Sequence, residues 1–162
     1  MRVQFLFLFV FTNLIFSQNS PFLDKISSEK IIYTEKKIHV DMMNNIYYLS
    51  GSELSKNKKL FFSDFSLGDI SNVDLFNPLK LKVWYKDYNT MVVLDNFLNE
   101  IVRVNFNNLN DPNEISHVST SNDNTMWVFD QLSMKIKKFD YIQNNFVKGI
   151  EVLLKENIID MN

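Results

Sequence analysis

Cysteine is absent from this 162-residue chain, and glycine and proline number only three each. Without cysteine there is neither a disulfide framework nor a thiolate metal site, and no lipid can be attached through an N-terminal cysteine. With Gly51, Gly68 and Gly149 so dispersed, a glycine-rich phosphate loop and a Gly-x-Ser-x-Gly nucleophile elbow are excluded. Excess charge of one sign is missing too: 17 basic residues lie among 19 acidic ones, for a net charge of -2. Aromatic residues are plentiful, but nucleic-acid grooves need a basic stripe beside them, so nucleic acid is not an expected partner. The chain also lacks the run of about 20 apolar residues that spans a bilayer.

Its longest apolar run, residues 5–16, is shorter than that and is interrupted by Thr12-Asn13. Met1-Arg2 places a positive charge before it, and Ser17 supplies a small residue just before Gln18. Those are the charged, hydrophobic and cleavage regions of a secretory signal peptide, the alternative being a membrane anchor. The expectation is a leader at 1–17, cleaved before Gln18, and a secreted or periplasmic mature chain at 18–162 that is not a lipoprotein and has no membrane span. A secreted chain free of cysteine and rich in Asn, Lys, Ile and Phe reads as bacterial rather than metazoan.

The mature part repeats itself. Thr90-Met91-Val92-Val93-Leu94-Asp95 recurs without a gap as Thr125-Met126-Trp127-Val128-Phe129-Asp130, a spacing of 35 residues. The pattern continues with Phe97 over Leu132, Ile101 over Ile136, Arg103 over Lys138 and Phe106 over Tyr141. A period of that length marks an array built from one supersecondary unit. Dominance of β-branched and aromatic residues makes it a sheet array. Residues 91–94 and 126–129 are unbroken apolar runs, as in inner strands buried on both faces. The segments that follow, 100–106 and 135–141, mix apolar and cationic residues and suit outer strands. Residues 80–86 alternate, with Leu81, Val83 and Tyr85 on one face and the lysines and Trp84 on a face expected to be wet.

Asn largely replaces Gly in the connections, at Asp95-Asn96, Asn107-Asn108, Asp111-Pro112-Asn113, Ser121-Asn122-Asp123-Asn124 and Asn144-Asn145. Both Asn and Asp tolerate left-handed backbone and close turns with their own side chains. A weaker copy upstream runs from Lys37 through Asn44-Asn45, Ile46-Tyr47-Tyr48-Leu49 and Gly51-Ser52 to Leu60-Phe61-Phe62. Three units result, near 37–67, 70–110 and 115–150. The expected fold is all-β, a β-propeller-like array of about three antiparallel blades. Closed propellers use roughly 4 to 8 blades, so the array is expected to be incomplete, with open sheet edges that pair two copies into a homodimer.

The segments Leu67-Gly68-Asp69-Ile70-Ser71-Asn72-Val73-Asp74, Asn77-Pro78-Leu79-Lys80, Tyr85-Lys86-Asp87-Tyr88-Asn89-Thr90 and Leu94-Asp95-Asn96-Phe97-Leu98-Asn99-Glu100 resemble uncharacterised secreted β-propeller-like repeat proteins of flavobacteria. The stretch with Ile115, Val118, Asn122-Asp123 and Trp127-Val128-Phe129-Asp130 is similar to blades of propeller sensor domains. The resemblance covers most of the mature chain and implies turns and strand cores, with no catalytic or binding residue to carry over. Ser121-Asn122-Asp123-Asn124-Thr125-Met126-Trp127 looks like the Asp-box of sialidase-type propellers. Thr125 replaces the glycine and Trp127 comes one residue early, and an Asp-box is in any case a turn.

Chemistry is sparse. His39 and His117 fall on separate strands without a second ligand at metal-binding spacing. Asp111, Glu114 and Asp123 lack the spaced ligands and central glycine of a calcium loop and read as turns. Asp87, Asp95 and Asp130 end strands, so a carboxylate pair for glycoside hydrolysis is conceivable. Recurrence in successive units instead suggests that each caps the same turn. Trp84, Tyr85 and Tyr88 cluster near one strand end as a contact for a protein partner or a glycan ring; the alternative packs Tyr85 in the core and Trp84 over a seam between blades. The tail at 149–161 has helical spacing, whereas the repeat asks for a strand over 146–153. Together these features suggest an exported, non-enzymatic binding or scaffold module without a cofactor, the alternative being an extracytoplasmic glycan-active enzyme with its site at the strand ends.

Overall fold

The computed structural model describes residues 37–154. The expected leader, and the tail beyond residue 154, lie outside the described residues. Twelve strands form three four-stranded antiparallel sheets, each a meander in which sequence neighbours pair. The first blade holds β1 Lys37–Val40, β2 Ile46–Ser50, β3 Glu53–Lys56 and β4 Leu60–Ser63. The second holds β5 Asn72–Asp74, β6 Leu81–Tyr85, β7 Thr90–Leu94 and β8 Glu100–Asn105. The third holds β9 Ile115–Thr120, β10 Met126–Asp130, β11 Lys135–Asp140 and β12 Asn145–Leu153. The fold is all-β and propeller-like, and the three sheets form an open array rather than a closed ring.

Two seams make the core. Tyr47, Leu49 and Leu54 of the first blade pack with Leu81, Val83, Tyr85, Val92 and Leu94 of the second. Trp84, Met91 and Val93, from the second blade's other face, pack with Val118, Met126, Val128 and Phe139 of the third. The register explains the split, since Val83 lies opposite Val92 while Trp84 lies opposite Met91, and directly opposed residues share a face. The middle blade is therefore covered on both sides. That corrects the expected wet face of residues 80–86. Alternation assigned the faces rightly, but β6 is buried along its whole length and Lys82 is only 2% exposed.

The 35-residue repeat is likewise not the blade period. Corresponding strands of the second and third blades start at 81 and 126, 90 and 135, and 100 and 145, a constant offset of 45 residues. The matching sequences thus fall on the third strand of one blade and the second strand of the next. Val93 and Val128 do not occupy equivalent places; they line the same seam from its two sides. Residues 100–106 do contain an outermost strand, β8, but β11 is an inner strand, with β12 outside it.

What repeats is a hairpin. Asp95 Oδ1 accepts from the backbone N–H of Phe97 and of Asn99, both at 2.8 Å. Asp41 closes the β1–β2 turn the same way, accepting from Met43 and Asn45 N–H at 2.9 Å. Asp130 accepts from Leu132 N–H at 3.1 Å and from the Ser133 hydroxyl at 2.6 Å. Asp95 and Asp130 thus cap turns, whereas Asp87 is exposed within a 3₁₀ turn, Lys86–Tyr88. Asparagine takes over from glycine as the sequence suggests, with Asn44, Asn57, Asn89 and Asn144 all at positive φ. Gly51 is needed where it stands: its φ is 58°, and a Cβ there would meet Asp69 Oδ1 at 3.2 Å.

Candidate functional site

In an antiparallel meander, alternate turns emerge at the same end. The turns after the first strand of each blade, near Met42, Phe76 and Asn122, therefore share one end of the array. They enclose a cleft of about 360 Å³. Its rim is apolar and open, since Met42 is 72% and Phe76 61% exposed. Asn122, Asp123 and Asn124 supply a polar wall, and Lys82 and Tyr141 are the deeply buried lining residues.

Three hydrogen bonds hold the second and third blades together here. Asp74 Oδ2 accepts from Thr120 N–H at 2.6 Å, Lys80 Nζ donates to Asn124 Oδ1 at 2.9 Å, and Lys82 Nζ donates to Thr120 Oγ1 at 2.6 Å. Asp74 Oδ1 also accepts from Phe76 N–H at 2.9 Å, fixing the base of the loop that carries Phe76. The Lys82 ammonium lies 5.7 Å from the centre of the Tyr141 ring, a cation–π distance. Among the described residues no carboxylate reaches ion-pair distance of Lys82. Burial lowers its pKa from the ordinary lysine value, with the Asp74 charge opposing and Lys80 reinforcing the shift.

Asp123, on the same loop, is engaged elsewhere. It pairs with Lys138 at 2.6 Å and accepts from the Thr125 hydroxyl. The Lys138 hydrogen bond, followed by that of Thr125, holds its carboxyl well below the usual carboxylate range. The Asp-box-like stretch is thus the turn between β9 and β10, closed by Ser121 N–H donating to Thr125 O at 3.3 Å. Across the loop a second recess of about 440 Å³ is lined by Asn122, Asp123, Trp127 and Lys138, and Lys138 covers the Trp127 ring at 5.5 Å.

The expected aromatic contact does not assemble. Trp84 is 2% and Tyr85 0% exposed, and they face opposite seams because they are successive residues of one strand between two blades. Tyr88 alone is open, at 47%. The Tyr85 hydroxyl and Trp84 Nε1 are buried without a hydrogen-bond partner, and burial, reinforced by the Asp64 charge, pushes the Tyr85 hydroxyl up to about 12. His39 and His117 sit on the first strands of different blades. Burial, then the charge of Lys37, lowers the pKa of His39. His117 Nδ1 shares a 2.9 Å hydrogen bond with Ser116. Among the described residues no three His, Asp or Glu side chains converge as metal ligands.

Lys82 escaped the sequence reading because alternation alone cannot tell a wet face from one covered by the next blade. The usable signal was its place: the middle one of three stacked sheets has no free face. Phe76 and Met42 belong to turns, where hydrophobicity carries no period.

The fold and cleft define a class, an open propeller-like β-repeat with a loop-lined recess at one end. No protein-family model and no curated protein matches the chain. Among solved structures it is similar to virginiamycin B lyase from Staphylococcus aureus, in a catalytically inactive variant with quinupristin (TM-score 0.47) and in a selenomethionine-substituted form (TM-score 0.46), each at 11% identity over 74% of this chain and 41% of theirs. A streptogramin B lyase structure matches at TM-score 0.47 and 13% identity, over 74% of this chain and 40% of that one. The chain thus spans about two fifths of the length of these proteins, a distant likeness confined to the fold.

Proposed function

We propose that the chain is an exported, non-enzymatic binding or scaffold module that holds its ligand in the cleft where the first turns of three blades meet. The carrying observation is that convergence: three successive blades each supply one loop to a single recess of about 360 Å³. Stacked sheets hold such loops rigidly, which lowers the ordering cost of binding. The polar groups there are engaged with one another, Lys82 with Thr120, Thr120 with Asp74 and Asp123 with Lys138, an arrangement suited to static recognition rather than proton transfer. Export rests on Arg2, the apolar run over 5–16 and Ser17.

Thermal denaturation of the chain starting at Gln18, against a panel of glycans, small organic acids and metal ions, tests the reading. A specific ligand at about a hundred times its Kd adds about 2.7 kcal/mol to stability and raises Tm visibly. Replacing His39 and His117 together by alanine should leave that shift unchanged. A folded double variant that loses turnover of a panel compound would replace this reading with an enzymatic one.

A further inference from the structure

We infer that the cleft takes a small molecule in which a carboxylate is joined to an apolar, ring-sized group. The inference rests on the binding reading above and names the ligand class for that site.

Lys82 carries the polar half of the argument. It is 2% exposed, lines the cleft, and among the described residues its ammonium has the Thr120 hydroxyl as hydrogen-bond partner and the Tyr141 ring face beside it. An ammonium has three donors, and one is accounted for here. A buried cation without a contacting carboxylate is costly, and proteins commonly pair such charges. Asp74, opposite Lys82 on the neighbouring strand, acts on it only through space: among the described residues the two make no ion pair, and the Asp74 oxygens accept from the Thr120 and Phe76 backbone. An incoming carboxylate would reach an ammonium already desolvated and held in place by Thr120, where a charge-assisted hydrogen bond is strong.

The apolar half comes from the rim. Met42, Phe76 and Pro78 border the same recess as Lys82, and two of these large side chains stand more than half exposed. An apolar group seated against them removes that surface from water while its carboxylate reaches inward. A volume of about 360 Å³ lies at the lower end of small-molecule sites, roughly 300–1,000 Å³, and excludes a long oligosaccharide from the interior.

Amide NMR titrations of the 18–162 chain with 3-phenylpropionate, its neutral analogue 3-phenylpropanamide, and glucuronate would test this. Saturable shifts at Phe76 and over residues 120–124 are expected with the acid, with affinity at least tenfold above that for the amide or for glucuronate. Lys82→Met should bring acid and amide to equal affinity, and Phe76→Ala should weaken the acid several-fold. If Lys82→Met loses its dispersed spectrum, the acid-to-amide ratio of the unaltered protein and the exposed-site variant Phe76→Ala decide. Equal binding of acid and amide, or a preference that survives Lys82→Met, overturns the inference. Glucuronate or another panel compound shifting the same amides more strongly than the acid overturns the ligand class but keeps the binding reading. No shift there with any compound overturns both.

Discussion

Lys82 shows how one side chain changes character with its place in a stack. On a lone sheet its face would be wet, and a charge reversal there would cost under about 1 kcal/mol. Between two blades it is desolvated, so Lys82→Asp should bury a carboxylate near Asp74 and cost about 3 kcal/mol or more, close to the cost of Val93→Asp in the same seam. Urea midpoints measure both, and a Lys82→Asp midpoint equal to the unaltered protein's would contradict the buried seam. The turn carboxylates set the pH response. Burial pushes Asp41 and Asp130 up, but Asn45, Tyr47 and Met43 for the first, and Glu114 N–H, Lys137 and Ser133 for the second, outweigh it and leave both below the ordinary value. Asp95, through Asn99, and Asp123, through Lys138, are lowered as well. Each folded pKa lies below its unfolded one, so the stabilisation is complete above the unfolded carboxylate range, near pH 4, and drains away as pH falls through the depressed values. Urea midpoints should slip slightly from pH 7 to 5.5, where the lowered pKa of His39 makes its protonation favour the unfolded chain, and drop steadily from pH 4 to 2. A midpoint rising on acidification would reverse the sign of these shifts.

At the scale of the element, the recurring object is the hairpin with an aspartate at its entry and a left-handed residue three or four positions later. Asn44, Leu98 and Met134 hold that place after Asp41, Asp95 and Asp130, with φ of 61°, 65° and 54°. Backbone strain is common to Leu98 and Met134, but their side chains differ. Leu98 is 4% exposed in the seam between the first two blades, while Met134 is half-buried outside both seams. Met134→Gly should therefore stabilise by up to about 1 kcal/mol, and Leu98→Gly should destabilise by about 2 or more because lost burial exceeds relieved strain. Thermal unfolding of the two variants checks this, and like signs would mean that one term dominates at both sites. The same hairpin explains how much of the fold was legible. Strand type, asparagine turns and three sheets follow from apolar runs ending in Asp or Asn, a signal within about ten residues of chain. Which strand of a blade each run becomes depends on connection lengths, and these place Thr90 on a third strand but Met126 on a second. The cleft was illegible for the same reason, since its parts come from turns about 35 to 45 residues apart that only stacking brings together.

Three stacked sheets joined by two seams leave two outer faces uncovered by another blade among the described residues, one on the first blade and one on the third. In the first blade Ile38, Tyr48, Ser55 and Phe61 form one cross-strand row, with Val40 opposite Ile46 beside it. This face turns away from the second blade. Ile38 is 40%, Val40 59%, Ile46 37% and Phe61 60% exposed, an apolar row of the kind that elsewhere in the chain is buried against a neighbouring blade. Phe61 lies on β4, at the sheet edge, where unpaired backbone groups add to the tendency to join another chain. Two copies meeting through this face would bury both rows at once, and an interface of like with like closes as a dimer. Light scattering after size exclusion should then show the mass rising from monomer to dimer with concentration. Phe61→Lys, at a site that contributes to neither seam, should hold the protein monomeric while leaving its Tm within a few degrees of the unaltered chain. A unaltered protein that stays monomeric at high concentration would mean that isolated exposure on this face is too little to outweigh the entropy of association, and that the seams alone stabilise the array.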